Sequence, residues 1–529
     1  MHGQQSIEKR KINVGEILRP HVLMEFEPMK LIINGALKPY YVQMLVMLFY
    51  PGEKFPETAD SADPRAAQVD VNVNEGYVTA RVWVKDGELE GTSELSNVLY
   101  DDNEEQSVKF CAGAAILEAF KSVTGYTPPW GMLTGVRPAK LASDMLEGGM
   151  SREDVISVFT DKYKTTKEKA ELAVCCAEVS GKIVTDDKIK ECSVYFAIPF
   201  CPTRCAYCSF VSAASPKLLA MIPEYLDALL CDVDKTFDLV EQLGIRVATV
   251  YIGGGTPTVL NAEQLERLLS RISERMGDVD EFTLEAGRPD TITAEKLSVA
   301  KKYGVTRVSV NTQTLSDEVL KTIGRAHSAD DFFSAYELAA SSGIKDVNVD
   351  LIAGLPGDTL DSFKDSIDRV IALDPTNITV HTFSVKRSAE FKTGGYDVFD
   401  REGTSVADCV AYSQKSLRDA GYLPYYMYRQ KNTVGNLENV GFSKPGHEGL
   451  YNIYMMDEIH SIFAGGASSV TKIVYPDGKG GVDIKRICEP KYPYEYLSDK
   501  RSGADAVKRA EGEELIKRIY TEKWHEADR

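Results

Sequence analysis

Short apolar runs alternate with longer amphipathic stretches from about residue 193 to about residue 390. The short runs are rich in β-branched residues, and six can be counted: Ser193 to Phe200, Val247 to Gly254, Glu281 to Gly287, Val305 to Gln313, Asp346 to Gly354 and Asn377 to Val385. The stretches between them carry apolar residues at helical spacing. This alternation predicts six consecutive β/α units and a parallel sheet, and therefore an α/β fold. In a barrel of such units, functional residues lie at the carboxyl ends of the strands.

The flanking regions show different patterns. Upstream, the sequence predicts a strand and a helix within residues 31–50, a hairpin within residues 69–85 and a helix over Glu104 to Thr124. The Pro-Pro-Trp-Gly stretch that ends at Gly131 cannot continue that helix. We therefore predict four parts: an α+β N-terminal module (1–130), a helical connector (131–190), the barrel (191–390) and a C-terminal cap that covers the substrate (391–529).

The charge balance narrows the partners. The chain has 61 Lys and Arg against 79 Asp and Glu, a formal net charge of −18, which repels nucleic acid and anionic membrane surfaces. The longest nearly apolar run, residues 42–50, is far shorter than the roughly 20 residues that span a bilayer. The first residues contain no apolar signal segment. We expect a cytoplasmic protein without a membrane span and without a nucleic-acid partner.

Three of the ten cysteines lie within eight residues, in the loop that follows the first barrel strand. Cys201, Cys205 and Cys208 have the spacing C-x3-C-x2-C, which in a reducing compartment indicates metal or redox chemistry. Three thiolates can hold three irons of a cubane cluster and leave the fourth iron open. A structural zinc site would need a fourth protein ligand, and Cys192 lies at the far end of the strand. Zinc or redox thiols are the alternative interpretation.

Further candidates follow other strands. Gly254 and Gly255, before Thr256, permit a ligand to approach the backbone, although a glycine run is also typical of a tight turn. Glu285 can accept hydrogen bonds from ribose hydroxyls, or be a solvated charge. Asp350 lies within an apolar strand, where a carboxylate is costly unless it is bonded.

Two sets of residues resemble a known family. The cysteine loop after the first strand resembles that of the radical S-adenosylmethionine (SAM) superfamily, and Ala197-Ile198-Pro199-Phe200-Cys201 resembles its oxygen-independent coproporphyrinogen III oxidases, or coproporphyrinogen dehydrogenases. The stretch from Pro129 to Lys140 and the stretch from Leu284 to Asp290 are similar to the HemZ-like branch. The resemblance covers nearly the whole chain.

The resemblance implies a partial (β/α)6, TIM-like barrel that holds a [4Fe-4S] cluster and SAM, with a second SAM molecule in some members. The three cysteines would ligate the cluster and deliver the electron for catalysis. Eleven further residues are assigned to cofactor contact: Tyr195, Tyr207, Gly254, Gly255, Thr256, Glu285, Gln313, Arg325, Asp350, Ser384 and Val470.

The implied activity belongs to heme biosynthesis. SAM is cleaved to a 5′-deoxyadenosyl radical, which takes a hydrogen atom from the β-carbon of a propionate on coproporphyrinogen III. Loss of carbon dioxide leaves a vinyl group, and two such steps give protoporphyrinogen IX. The implied partners are this tetrapyrrole and a low-potential electron donor such as ferredoxin or flavodoxin. Lys386, Arg387 and Arg429 are candidates for binding the substrate carboxylates.

Two departures from the family pattern leave the substrate open. Phe210 stands where well-known members have a fourth cysteine, and Ala197 stands where they have a histidine. The heme-chaperone branch also has this phenylalanine, so a heme chaperone or heme-binding protein is an alternative. That branch carries a His-Asn-x-x-Tyr-Trp stretch, and the corresponding segment Tyr451 to Met456 keeps only the asparagine. A radical SAM enzyme that acts on another tetrapyrrole is the further alternative.

Overall fold

The computed structural model describes residues 28–51, 53–56, 63–99, 103–135, 137–208, 210, 212–384, 404–430, 433–478, 481–503 and 506–524. Within these residues no helix combines the length and the apolarity that crossing a bilayer requires.

The N-terminal module is a four-stranded sheet that packs against one long helix. Its elements are β1 (Lys30–Asn34), α1 (Pro39–Val46), β2 (Arg65–Asn74), β3 (Tyr77–Asp86), β4 (Leu89–Val98) and α2 (Glu104–Thr124). The strands lie in the order β1-β2-β3-β4, and the predicted hairpin is β2 and β3. On β3, Val78, Ala80 and Val82 are buried and alternate with more exposed residues, so one face packs on α2. This module has its own apolar core.

A helical connector follows the module. It consists of α3 (Pro138–Glu147), α4 (Arg152–Ser157), α5 (Lys167–Ile183) and α6 (Asp186–Ile189). Trp130, in the predicted boundary segment, is fully buried and donates its indole N–H to Glu438 Oε2 at 2.7 Å. Lys169 of α5 and the Gln414 amide bond the other oxygen of Glu438. This buried carboxylate therefore ties the connector to the C-terminal region.

The six predicted strands are present and run parallel. The barrel elements are β5 (Cys192–Ile198), α7 (Pro216–Leu219), α8 (Ile222–Gln242), β6 (Val247–Gly254), α9 (Ala262–Arg275), β7 (Glu281–Gly287), α10 (Ala294–Lys302), β8 (Arg307–Val310), α11 (Asp317–Thr322), α12 (Ala329–Ser341), β9 (Asp346–Ala353), α13 (Leu360–Ala372) and β10 (Asn377–Thr382). Neighbouring strands pair in chain order from β5 to β10. Capping boxes at Asn261, Ser328 and Thr359 fix the starts of three helices. The predicted partial (β/α)6 barrel is confirmed.

The region predicted as a C-terminal cap also extends this sheet at both ends. It contains α14 (Thr404–Asp419), β11 (Leu423–Arg429), β12 (Glu438–Ser443), α15 (Leu450–Met456), β13 (Ser461–Gly465), β14 (Val470–Pro476), β15 (Val482–Cys488), α16 (Pro493–Ser502) and α17 (Ala506–Ile519). The sheet has eleven strands in the order β11-β12-β10-β9-β8-β7-β6-β5-β13-β14-β15. Strand β13 is parallel to β5, whereas β12 is antiparallel to β10. The division into four parts stays a prediction. The structure shows that the barrel and the C-terminal region contribute strands to the same sheet.

Candidate functional site

One cavity of about 730 Å³ opens at the carboxyl ends of the barrel strands. All fourteen residues assigned to the cluster and to cofactor contact line it, namely Cys201, Cys205, Cys208, Tyr195, Tyr207, Gly254, Gly255, Thr256, Glu285, Gln313, Arg325, Asp350, Ser384 and Val470. They come from the four barrel strands β5, β6, β7 and β9, from the segments that follow β5, β6, β8 and β10, and from β14. Their individual binding roles stay predictions, and their convergence on one cavity is a finding.

The cysteine loop is fixed at several points. Its start is bonded to the neighbouring strand end, where Gly255 N donates to Ile198 O at 2.8 Å and Thr256 N donates to Phe200 O at 2.8 Å. Its middle is held by Arg288, which donates to the Thr203 hydroxyl and forms a two-pronged ion pair with Asp290. Arg288 is buried, so this anchor is shielded from water. Arg288 was not predicted as a site residue, although it lies in the stretch from Leu284 to Asp290 that carries part of the family resemblance.

The three thiols are largely buried. Thr256 Oγ1 lies 3.4 Å from Cys201 Sγ. Burial, with the neighbouring Cys208 and Cys205, raises the pKa of Cys201 to about 11, and burial also raises the pKa of Cys208. Cys201 and Cys208 are therefore protonated at neutral pH when nothing is bound, and a bound cation would displace their protons.

These thiols are not arranged around a single ion. In the described part of the chain, no three His, Cys, Asp or Glu side chains form a group that could hold one metal ion. A tetrahedral zinc site needs sulfur atoms about 3.8 Å apart. Three cysteine thiols from one loop that line the same cavity are the ligand set that a cubane cluster with one open iron needs.

Two glycines leave room beside the cysteine loop. A Cβ atom on Gly255 would lie 2.9 Å from Cys201 Sγ and 2.5 Å from Phe200 O. Gly254 has φ +110°, a conformation that other residues rarely adopt. The glycine at position 255 therefore has a steric cause in this structure, because a side chain there would clash with Cys201.

Two acidic residues face the cavity in different electrostatic states. Burial and the nearby charge of Asp350 raise the pKa of Glu285 to about 8. Burial also opposes ionisation of Asp350, but its bonds with His381, Asn348 and Thr379 hold its pKa below the usual value. Asn348 Nδ2 donates to Asp350 at 2.7 Å, and His381 Nε2 lies 3.7 Å from the same carboxylate. Asp350 thus carries the charge, and Glu285 is a neutral hydrogen-bonding group at pH 7.

Several buried polar atoms on the cavity wall have no hydrogen-bond partner among the described residues. They are Ser212 Oγ, Ser309 Oγ, Asn311 Oδ1, Gln313 Oε1, Arg325 Nε and Ser469 Oγ. Arg325 otherwise donates to Tyr207 OH at 3.0 Å and to the Asn311 carbonyl, and it lies beside Cys205. Buried polar atoms are normally bonded, so this set indicates the position of a polar ligand.

Aromatic rings form part of the cavity wall. Tyr195 and Tyr251 stack with ring centroids 6.0 Å apart, and Tyr451 lies 4.6 Å from Tyr251. Tyr251 and Tyr451 were not predicted as site residues. Tyr451 belongs to the segment Tyr451 to Met456, whose Asn452, Met455 and Met456 also line the cavity.

The three residues predicted to bind the substrate carboxylates are not found on the cavity wall in the described part of the chain. Arg429 was a wrong candidate, because it is buried away from the cavity and donates to the carbonyls of Leu133, Gly135 and Asn436. Its guanidinium also lies over the Trp130 ring. Lys386 and Arg387 lie outside the described residues.

The cavity fits the two predicted cofactors in its chemistry. The cysteine thiols supply soft ligands for iron, and the unpaired amide, hydroxyl and guanidinium groups supply hydrogen bonds for a polar molecule beside it. These donors and acceptors belong to the same continuous cavity.

Sequence comparisons with known proteins agree with the superfamily that the cysteine loop indicates. The sequence profile of the radical SAM superfamily matches residues 195–370. The oxygen-independent coproporphyrinogen-III oxidase-like protein HemZ of Bacillus subtilis is 39% identical over 401 residues, which cover 74% of this chain and 78% of HemZ. The heme chaperone HemW of the same organism is 37% identical and covers 57% of this chain and 77% of HemW. The coproporphyrinogen III oxidase HemN of Escherichia coli superposes with a TM-score of 0.46 at 21% identity, over 60% of this chain and 71% of HemN.

The fold and the cysteine loop define a radical SAM protein, which uses a [4Fe-4S] cluster and SAM. Within that superfamily, the chain belongs to the oxygen-independent coproporphyrinogen-III oxidase-like family.

Proposed function

We propose that the chain is a radical SAM oxidoreductase that oxidatively decarboxylates propionate side chains of coproporphyrinogen III to vinyl groups. The observation that carries this proposal is one cavity that is lined by the three cysteine thiols, by the unpaired polar groups and, farther along its wall, by the cations Lys472 and Arg486. A volume of about 730 Å³ lies in the upper part of the range for small-molecule sites. Such a cavity suits a cofactor and an organic substrate side by side.

Each group of residues has a role in this proposal. Cys201, Cys205 and Cys208 would hold the cluster, and the Arg325 guanidinium beside Cys205 would offset the negative charge of the thiolates. Glu285 would bind the ribose hydroxyls of SAM. The side-chain amide of Gln313 would donate hydrogen bonds to polar atoms of SAM and accept hydrogen bonds from them. When bound, the two cofactors supply a carbon radical that abstracts a hydrogen atom.

The overall reaction balances simply. From each propionate one hydrogen atom leaves the β-carbon, carbon dioxide leaves the carboxylate, and one electron passes to an acceptor. The protein's task is to hold the propionate in place and to exclude water. A ferredoxin or flavodoxin would supply the electron that starts the reaction.

Heme binding is a second candidate function. It is supported by the position of Tyr451 to Met456 on the cavity wall, together with the similarity to the heme chaperone HemW. Methionine sulfur can ligate heme iron, and two methionines of this segment line the cavity. A protein of this kind would bind heme at one equivalent and release no carbon dioxide from coproporphyrinogen.

One anaerobic assay tests both functions. The cluster is reconstituted, a strong reductant, SAM and coproporphyrinogen III are added, and 5′-deoxyadenosine, carbon dioxide and porphyrin products are followed together. We expect wild-type protein and Cys231→Ala to form all three products, because Cys231 is exposed and does not line the cavity. Cys205→Ala should lose most of its iron and form none.

The outcomes separate the hypotheses. Wild-type protein that makes no 5′-deoxyadenosine, together with Cys205→Ala that binds as much iron as wild type, would refute the radical mechanism. Cleavage of SAM without carbon dioxide release would refute only the substrate. Stoichiometric heme binding without any SAM cleavage would favour the heme-binding function.

A further inference from the structure

Two cations lie on the part of the cavity wall that β14 and β15 form. Lys472 and Arg486 line the cavity together with Val470, Met455 and Met456. The cysteine loop follows β5, and β13 and β14 separate it from β15 in the sheet. The cavity therefore reaches from the cysteine loop to this cationic wall.

The sheet register places the two cations side by side. Lys472 on β14 pairs directly with Arg486 on β15, and on its other side with Ile462 on β13. Side chains at directly paired positions point to the same face of a sheet, and all three residues line the cavity. Like charges at such positions destabilise a sheet. A bound anion between them would remove that cost.

The surroundings leave the two cations unbalanced. Burial lowers the pKa of Lys472 to about 8, the Glu458 carboxylate acts in the opposite direction, and Arg137 and Arg486 lower it further. Glu458 itself forms an ion pair with Arg137 at 2.6 Å. Lys472, Arg137 and Arg486 carry three positive charges. Glu458 is the one carboxylate in this group, so the group has a surplus of two positive charges. This surplus occurs in a chain whose net charge is −18.

Neither cation has an ionic partner in the described part of the chain. Lys472 Nζ donates only to the Met455 carbonyl, at 3.2 Å, and no described carboxylate pairs with Arg486. The other cavity arginines are committed, because Arg288 is paired with Asp290 and Arg325 is bonded to Tyr207 and Asn311. The charge of Lys472 and Arg486 is thus available to a ligand.

We propose that Lys472 and Arg486 bind the non-reacting carboxylates of the tetrapyrrole substrate while another propionate lies near the cysteine loop. This inference rests on the proposed function for the identity of the substrate. Arg486 can pair with a carboxylate through two parallel hydrogen bonds, and Lys472 acts as a point charge. The thioethers of Met455 and Met456 and the Val470 side chain beside them provide an apolar surface for the macrocycle.

Binding of coproporphyrin III, the stable oxidised form of the substrate, tests the site directly. Its dissociation constant for the reconstituted holoprotein with SAM is measured anaerobically by fluorescence quenching. We expect Lys472→Gln to weaken binding about tenfold, Arg486→Gln about fivefold and the double variant about fiftyfold, as for the loss of charged hydrogen bonds. Protoporphyrin IX, with fewer carboxylates, should be affected less by the double substitution.

Two further variants keep the test interpretable. Lys485→Gln removes an exposed charge from the same strand, outside the cavity, and should bind like wild type. Lys472→Arg keeps the charge and should stay within about threefold of wild type. Iron content and the circular dichroism spectrum of each variant report whether it folds and holds its cluster.

The site and the function can fail separately. A double variant that is folded, holds its cluster and binds coproporphyrin III as tightly as wild type would overturn the site, as would an equal loss in Lys485→Gln. If affinity falls as expected but wild-type protein releases no carbon dioxide from coproporphyrinogen III, the anion site stands and the proposed reaction falls.

Discussion

The two ends of the barrel interior carry similar polar residues and use them in opposite ways. At the amino end, four consecutive strands begin with Glu281, Arg307, Asp346 and Asn377, and Arg307 donates hydrogen bonds to the other three side chains. Each is nearly inaccessible to solvent, and none has an unpaired buried side-chain atom. At the carboxyl end, polar atoms such as Gln313 Oε1 and Arg325 Nε are buried with no hydrogen-bond partner in the part of the chain that the structure describes.

The amino end is closed by backbone as well as by side chains. Arg307 Nη2 also donates to the carbonyls of His447 and Glu448, and the Glu281 carboxylate accepts the N–H groups of Leu450 and Tyr451 at the start of α15. Polar groups inside this barrel therefore have two purposes. Where the groups satisfy one another they stabilise the fold, and where they do not they are available to a ligand.

Removing Arg307 should have the largest effect on stability. Arg307→Leu leaves Glu281 and Asp346 buried without their cation, and breaking a buried ion network costs about 3–5 kcal/mol. Chemical denaturation of the anaerobic protein measures the loss. Arg271→Leu serves as control, since its ion pairs on the surface are partly exposed and its loss should cost less than about 1 kcal/mol. Equal losses for the two variants would show that the amino-end network is not special.

Low pH should have the next largest effect on the free energy of unfolding, through a buried histidine at the amino end. His460 is buried beneath β5, where Nδ1 faces the Ser193 hydroxyl at 3.0 Å and Nε2 faces the Lys188 carbonyl at 2.8 Å. Burial lowers the pKa of His460 to about 4, against about 6.5 in the unfolded chain. The unfolded state therefore binds more protons between these values, and the free energy of unfolding falls as the pH drops from about 6.5 to 4.

Because the pKa of His460 is about 4 in the folded protein and about 6.5 in the unfolded chain, the free energy of unfolding falls by about 3 kcal/mol between pH 6.5 and pH 4. His460→Gln should show a shallower decline over the same range, and denaturation at several pH values measures the difference. His327, whose pKa burial also lowers to about 4, contributes equally to both proteins and cancels. Identical pH slopes for wild type and variant would contradict the assignment.

The sequence predicted the two ends unequally. The carboxyl-end residues follow strands that the periodicity located well, so strand order alone placed them at one edge of the sheet. The amino-end network was missed, because a polar residue at the start of a strand is indistinguishable from a solvated charge in a single sequence. The recurrence of Glu281, Arg307, Asp346 and Asn377 at four strand starts was the available signal.

Other parts of the fold depended on long-range pairing. Strand β4 was not predicted, since its ten residues are largely polar and its outer residues are exposed. The parallel addition of β13 beside β5 joins segments that lie far apart in the chain, and no local pattern specifies such a pairing. Strand β8 ends at Val310, earlier than predicted, and Gln313, with φ +75°, pairs with β9 only as an isolated bridge.

Alkaline pH should strengthen cofactor binding at the carboxyl end. With the pKa of Glu285 raised to about 8, its carboxyl group is mostly neutral at pH 7 and mostly ionised at pH 9. The ionised form can accept both ribose hydroxyls and attracts the sulfonium charge of SAM. We expect the affinity of the reconstituted protein for SAM to rise up to about tenfold over this range.

Equilibrium dialysis with wild type and Glu285→Gln measures this effect. The amino group of SAM titrates in the same range, so the difference between the two proteins is the relevant quantity. In Glu285→Gln, the affinity for SAM should change with pH only as far as the titration of the SAM amino group changes it. A wild-type profile no steeper than that of Glu285→Gln would refute a role for Glu285 in binding.

Gln313 gives the smallest expected change in stability and the sharpest contrast with Arg307. Its backbone pairs with β9, because its N–H donates to the Asp350 carbonyl and its own carbonyl accepts from Ile352, both at 2.9 Å. Its left-handed conformation costs about 1–2 kcal/mol, which glycine would relieve at an entropic cost of about 0.5–1 kcal/mol. Gln313→Gly should therefore change the free energy of unfolding by no more than about 1 kcal/mol while it weakens SAM binding by about threefold to tenfold, the effect of one lost hydrogen bond. Denaturation and equilibrium dialysis on the same preparation measure both quantities. A loss of 3 kcal/mol or more, as expected for Arg307→Leu, would mean that the carboxyl end also stabilises the fold and that the two ends do not differ in purpose.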